Sequence, residues 1–234
     1  MKLPYLGIHN PILSHFTGRF ASNGHSRQAT IHSSPLPVTA SRFHFRQTAP
    51  QSLRGSQWQL RPLSQANAAL TYDAYLAHPI SLIQQSRGLH LADSYTWQEH
   101  MQQIAAYEQD HRTHKAFSFI VLNKTATKCL GMVQVLPLRP FLYYNNAPAH
   151  LLVRAGDNAA MITYWLATCS DGSPFACEFI QALQRWFSRE WEFDDYYFRI
   201  NPSDAHCLSI LAESGLATQF SLKVPPYDYA FYGN

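Results

Sequence analysis

Between Met161 and Ile200 the chain changes hydrophobic period twice, and that change restricts the folds open to it. Met161-Ile-Thr-Tyr-Trp-Leu-Ala167 is β-branched and aromatic, the composition of a half-buried strand. Phe175, Phe179, Leu183 and Phe187 then recur at every fourth residue, and Ile180, Trp186 and Trp191 widen the stripe. This spacing predicts a helix of about four turns with one buried side. Tyr196-Tyr-Phe-Arg-Ile200 returns to strand composition. A strand, a helix with one apolar face and a second strand predict two strands that run parallel, or nearly so, in one sheet.

The segments before and after extend this sheet. Trp58-Gln-Leu-Arg-Pro-Leu63 alternates apolar and polar residues and reads as a strand. Helical material follows from about Gln65 to Leu76, ended by Pro79. A second helix opens at Thr96, where Glu99 three residues later completes a capping box, and runs to about His111. Ala116–Leu122 and Cys129–Leu136 form a hairpin around the polar turn Asn123–Lys128, stopped by Pro137 and Pro140. Residues 138–160 read as a long loop, with Leu151-Leu-Val153 a short strand at most. Ser203 or Asp204 caps a last helix bearing Cys207, Leu208 and Leu211, closed by Gly215. Phe220–Val224 and Tyr229–Tyr232 make two final strands around Pro225-Pro226.

Residues 1–56 show neither period. They are rich in Ser, His, Pro and Arg, and bury too little to offset ordering entropy. Of the chain's 18 cationic residues, seven precede the first acid, Asp73, leaving eleven against 15 acids in the remainder. The sequence therefore divides into an N-terminal tail, 1–56, disordered or processed, and a mildly acidic domain, 57–234. An Arg- and Ser-rich, acid-free start also fits an organelle transit peptide, so a cytoplasmic location and an organellar one both stand. A secretory signal does not fit.

The remaining composition excludes several classes. A hydrophobic fraction of 46% supports one sizeable core. No apolar run is long enough for a membrane span, which points to a soluble protein. Cys129, Cys169, Cys177 and Cys207 are too far apart for a zinc site, and His111-Arg-Thr-His114 lacks the Glu of a zincin helix, so no metal is expected. No basic stripe with interleaved aromatics follows residue 72, which argues against nucleic acid.

The order of elements, and several residues within it, resemble the GNAT superfamily of acyl-CoA-dependent N-acetyltransferases over roughly residues 57–224. Trp58-Gln-Leu-Arg-Pro-Leu63 resembles the family's opening strand, and Cys129-Leu-Gly131-Met-Val its third strand. Asn201-Pro-x-Asp204-Ala-x-Cys207-Leu-x-Ile-Leu211-x-x-x-Gly215-Leu216 resembles its closing motif, with Asp204 for the usual Asn and Leu216 for the usual Phe. The resemblance implies an α/β (α+β) fold: a mixed, mostly antiparallel sheet of six to seven strands with about four flanking helices. It also implies acetyl-CoA as acyl donor, held along a splayed strand edge and by backbone N–H groups where the next helix opens. By position, Tyr164, Trp165 and Leu166 supply the edge. Gly172, Ser173, Phe175 and Ala176 supply the loop and first turn.

The loop departs from the family pattern. Cys169 replaces the usual Gln or Arg, Asp171 adds a negative charge, and Pro174 removes an N–H donor. Pro at a helix start is equally a stabilising residue. The family's tyrosine acid is Leu211 here, and no carboxylate lies on the 161–167 strand. Tyr164 and Glu178 are the foremost candidates for proton handling, with Asp157 and His150 behind them. Two functions follow from the resemblance. One is an acetyltransferase acting on an amine, whether of a small molecule or a protein. The other is a non-catalytic binding or scaffold domain with a decayed CoA site.

Overall fold

The computed structural model describes residues 42–77, 95–167, 174–202, 204–224 and 227–233. Eight strands form one sheet: β1 (Leu53–Arg54), β2 (Trp58–Pro62), β3 (Phe117–Asn123), β4 (Cys129–Pro137), β5 (Ala160–Leu166), β6 (Tyr196–Ile200), β7 (Ala217–Val224) and β8 (Tyr227–Gly233). Their order is β1-β2-β3-β4-β5-β6-β8-β7. Neighbours are antiparallel except β5 and β6, which run parallel as the strand–helix–strand pattern requires. The six α-helices among the described residues are α1 (Ala68–Ala77), α2 (Trp97–Arg112), α3 (Leu138–Tyr144), α4 (Ala149–Arg154), α5 (Pro174–Glu190) and α6 (Ala205–Glu213). The mixed, mostly antiparallel class expected from the sequence is present, with eight strands rather than six to seven and six helices rather than four.

The two faces of the sheet carry different layers. On one, the α5 stripe of Phe179, Leu183, Trp186 and Phe187 is buried against Trp58, Leu60, Phe119, Val133, Ile162 and Phe198, with Leu211 of α6 beside it. Each such side chain contributes about 1.5–3 kcal/mol by leaving water. The other face holds two separate apolar clusters. α1 and α2 cover Ile120, Met132 and Trp165, while α3 and α4 cover Leu136, Met161 and Tyr197.

Local signals in the sequence set several boundaries. Thr96 caps α2, its hydroxyl accepting from Glu99 N at 3.2 Å while Glu99 Oε2 accepts from Thr96 N at 2.9 Å. The Asn123 side chain closes the β3–β4 turn by accepting from the N–H groups of Thr127 and Lys128. Asp204 caps α6 through Cys207 N. Its alternative, Ser203, lies outside the described residues, as do Pro79, Pro225 and Pro226. Gly215 sits at φ +79°, the left-handed end of α6.

Two expectations need correction. Residues 138–160 are not a loop with a strand at 151–153, because they form α3 and α4. Pro140 falls in the first turn of α3, where its missing N–H is tolerated. Phe141 packs edge-on against Tyr229 and Phe231 of β8, partners far away in sequence. The packed unit also begins before Gln57. Phe43 is 2% exposed, stacks on Phe117 and contacts Phe193 at 5.4 Å. Phe43 N donates to His114 O, Arg46 N and Gln47 N donate to Glu192, and β1 pairs with β2. These anchors are single aromatic residues with distant partners, so they leave no periodic trace.

Removal of one anchor tests this extended boundary. Phe43→Ala is expected to lower unfolding free energy by about 3–5 kcal/mol, read from urea denaturation. A chain beginning at Gln57 should melt below one beginning at Arg42. Equal melting temperatures would return the boundary to residue 57.

Candidate functional site

The site grows out of the parallel pair. On one side, β5 pairs with β4 from Pro137↔Ala160 to Gly131↔Leu166. On the other, the register with β6 covers only Ala160↔Tyr196, Met161↔Tyr197 and Ile162↔Phe198. Past Ile162 and Phe198 the two strands part. The opening lies at their carboxyl ends, the position where open α/β sheets receive ligands. α5, the crossover helix, begins beyond the same end of β5.

A close backbone approach holds the outer half of β5 against β4. A Cβ at Gly131 would collide with the carbonyl oxygen of Trp165 and approach the Cα of Leu166 at 3.1 Å. Next to it the register slips, Val121 pairing Gly131 and Leu122 pairing Cys129, so Leu130 is the extra residue of a bulge. Gly131 is thus the residue that lets β4 follow Trp165 and Leu166.

Strand alternation divides the expected edge residues between the faces. Tyr164 and Leu166 join the α5 cluster, and the Tyr164 ring meets Phe198 edge-on at 6.3 Å. Trp165 lies on the opposite face, its ring 5.3 Å from Tyr75 of α1. Phe175 packs against Trp58 and Phe179 at the start of α5, and Ala176 is 1% exposed in the same cluster. Gly172 and Ser173 lie outside the described residues, as do Cys169 and Asp171. Glu178 does not meet Tyr164: its carboxylate accepts from the Ser56 hydroxyl at 3.2 Å. Asp157 is ion-paired with Arg139 at 2.6 Å, and His150 is exposed on α4.

Sequence reasoning missed two polar features on the α1–α2 face. The first crosses the sheet between its two apolar clusters. Ser118 pairs with Gln134, and Gln134 with Thr163, so their side chains stand in one row. Gln134 and Thr163 are partly exposed although they lie on central strands. Arg199 of β6 continues the row. The signal was present in Tyr197-Phe-Arg199, since period two puts Arg199 on the face of Tyr197 and away from Phe198.

The second is a buried network under α1 and α2. His100, fully buried, directs Nε2 at Ala68 O, 3.0 Å away, and at Thr71 Oγ1, 2.8 Å away. A carbonyl can only accept, so Nε2 carries the proton. Nδ1 then accepts from the Tyr95 hydroxyl at 3.0 Å, and the same hydroxyl oxygen lies 2.7 Å from the Gln103 side-chain amide. Burial holds the His100 pKa below its ordinary value. Burial pushes Tyr107 up to about 12 and raises Tyr75 and Tyr95 as well. At neutral pH these tyrosines are donors, and none is a base. His111, assigned no metal role above, is buried and donates from Nδ1 to Ser118 O.

No protein-family model matches the chain, and no curated protein matches it. Solved structures do. A ribosomal-protein-S5-alanine acetyltransferase from Vibrio fischeri superposes with TM-score 0.59 at 14% identity, over 79% of this chain and 96% of that one. An acetyltransferase from Salmonella typhimurium that modifies the N-terminal serine of ribosomal protein L7/L12 gives 0.58 at 13%, over 79% and 98%. The microcin C7 self-immunity acetyltransferase MccE, solved with acetyl-CoA and AMP, gives 0.57 at 16%, over 77% and 93%. The fold is that of the GNAT acetyltransferases. The parted strands, the bulge at Gly131 and the crossover helix of this chain lie within that fold.

Two expectations test these assignments. Gly131→Val should cost several kcal/mol, about what overpacking against backbone costs at its upper end, visible as a lowered melting temperature. For His100, the folded pKa lies below the ordinary value of about 6.5. Its stabilisation is complete above that value and is lost as pH falls below it, by at most about 1.4 kcal/mol per pH unit. His100→Leu should accordingly cost less at pH 5.5 than at pH 7.5 in urea titrations. An equal penalty at both would mean that His100 is not held neutral.

Proposed function

We propose that the chain is an N-acetyltransferase that moves an acetyl group from acetyl-CoA to an amine of a small molecule or a protein. The observation that carries the reading is the end of the β5–β6 ladder at Ile162↔Phe198, while the β4–β5 ladder continues to Leu166. The residues present fit the donor along this strand. Backbone groups on the outer half of β5, Tyr164–Leu166, would hold the pantetheine arm, with Trp165 forming the wall toward α1. The donor supplies an activated thioester. Phe175 and Ala176, with Gly172 and Ser173 before them, would border the pyrophosphate at the start of α5, where backbone N–H groups favour anions. Neighbours of the same fold, ribosomal-protein acetyltransferases and an acetyltransferase solved with acetyl-CoA, support both the reaction class and the donor.

The chain's own groups would act mainly by position. Tyr164 lies in the α5 core and Glu178 is hydrogen-bonded to Ser56, so neither is presented to an amine on the α1–α2 face. An amine arriving neutral and held beside the thioester needs little base, because proximity alone supplies a large share of the rate. No helix among the described residues is long and apolar enough to cross a membrane, and a cytoplasmic or organelle-lumen setting agrees with acetyl-CoA as donor.

One observation favours a second reading, a binding or scaffold domain. α5 opens on Pro174, which has no N–H to offer, three residues after Asp171. A lost donor costs about 1–3 kcal/mol and a nearby like charge about 1 kcal/mol. Calorimetric titration with acetyl-CoA decides between the two readings. Binding is expected in the micromolar to millimolar range, and Asp171→Asn should tighten it about fivefold, more at low salt than at high. If neither the wild type nor the Cys169→Arg/Asp171→Asn/Pro174→Gly variant binds, the strands do not admit the donor and the scaffold reading takes its place.

A further inference from the structure

The opening between β5 and β6 has two faces, and a cation stands on the one opposite α5. Arg199 is the residue immediately after Phe198, the last β6 residue paired with β5. Its neighbours fix its direction. The guanidinium carbon lies 5.6 Å from the centroid of Phe141 and 5.7 Å from that of Tyr229, and Nη1 approaches Met161 Sδ at 3.8 Å. All three belong to the cluster under α3 and α4.

These neighbours satisfy the cation poorly. Ring faces attract positive charge but leave the planar N–H fork without strong acceptors, and a thioether is a weak acceptor. The ion pair found among the described residues is Arg139–Asp157, and Arg199 is not part of it. Apolar surroundings lower the Arg199 pKa to about 9, which still leaves it charged at neutral pH. A charge set among apolar groups without a carboxylate is costly to keep, and arginine is the side chain suited to grip a carboxylate or phosphate with two parallel hydrogen bonds. The same position would serve a stability role better as leucine or methionine.

The surroundings give the cation an approach. Thr163 is the first β5 residue past the paired register, as Arg199 is the first of β6, and Gln134 stands next to Thr163 on β4. Both are partly exposed, as is Arg199 itself. This polar floor separates the α1–α2 cluster from the α3–α4 cluster and ends at the gap. A molecule with its charge at Arg199 is held beside the parted strands, with Thr163 and Gln134 as the floor next to it.

We propose that Arg199 binds the anionic group of the acceptor, so that the acceptor is an amine that also bears a carboxylate or a phosphate. This rests on the transferase reading for the word acceptor, while the anion site itself stands on geometry alone. Thr163 and Gln134 line the floor beside the bound anion. The Arg199 fork selects against neutral analogues by leaving its charge unmatched when they bind.

The test has a binding arm that needs no acetyl donor. Saturation-transfer NMR on the full chain follows the methyl protons of acetate and of neutral acetamide, and inorganic phosphate is read by its displacement of acetate. Acetate or phosphate should bind at least tenfold more tightly than acetamide, and whichever anion gives the stronger response identifies the group. Arg199→Gln should abolish the preference and Arg199→Lys should retain part of it. Equal responses to the anions and acetamide in the wild type overturn the proposal without recourse to any variant. So does a preference that survives in Arg199→Gln. A second arm follows CoA release from acetyl-CoA with β-alanine, its amide and 2-aminoethylphosphonate as acceptors. An anion preference in binding without CoA release removes the transferase reading and keeps the anion site. CoA release that is equal for β-alanine and its amide, with no anion preference in binding, removes the anion site alone.

Discussion

The burial of the α5 aromatic stripe sets the rest of this molecule. A helix that lays Phe179, Leu183, Trp186 and Phe187 on a sheet must leave β5 and return to β6 on the same face, and that return makes the two strands parallel. Every other neighbouring pair is antiparallel, so only here do two carboxyl ends lie side by side. Trp186 and Trp191 then tie the far end of the helix to Phe117 and Phe119 of β3, and through Phe117 to Phe43 and Phe45. The segment before β1 is thereby recruited to the core by the same ring cluster that fixes the crossover. A loss at one end of this cluster is felt at the other because ring contacts, rather than backbone ladders, connect them.

What the sequence made legible follows from how local each signal is. The capping box of Thr96 and Glu99, the Asn123 turn and the glycine after α6 are decided within a few residues, and each appears where expected. The period of α5 is equally local, since its stripe repeats along one element. α3 and α4 were not legible, because seven and six residues are too short to display a period and their apolar sides are defined by Tyr229 and Phe231 at the other end of the chain. Phe43 failed for the same reason. The insertion of β8 between β6 and β7 is likewise a decision of long-range pairing, which no local pattern records.

The candidate site shows the same division. Tyr164, Trp165 and Leu166 could be assigned to the parting edge from the position of the strand, but their separation onto two faces follows from the pleat. Tyr164 is thereby turned into the α5 core, and Trp165 toward Tyr75. Glu178 was plausible as long as only helix position was known. The structure turns it to Ser56, a residue the sequence had assigned to the tail. Arg199 escaped notice because a lone arginine in an aromatic strand has many ordinary explanations, most of which require a carboxylate partner. It becomes informative only once its surroundings are seen to be Phe141, Tyr229 and Met161.

The two polar features of the α1–α2 face differ in what they demand. The His100 network is internal: imidazole, threonine hydroxyl, tyrosine hydroxyl and glutamine amide lie within hydrogen-bond reach of one another inside the protein, and burial favours the neutral imidazole and phenol. Such a network stiffens the contact between α1 and α2 and asks for nothing from solvent. The row from Ser118 to Arg199 is open. It ends in a charge, it is partly exposed, and it runs to the place where two strands part. A fold that keeps one network inside the protein and leaves a cation among rings distributes its polar groups unequally between structure and recognition. The part of the face left for recognition is therefore the floor between the two apolar clusters, and its chemistry is cationic at one end and neutral along its length.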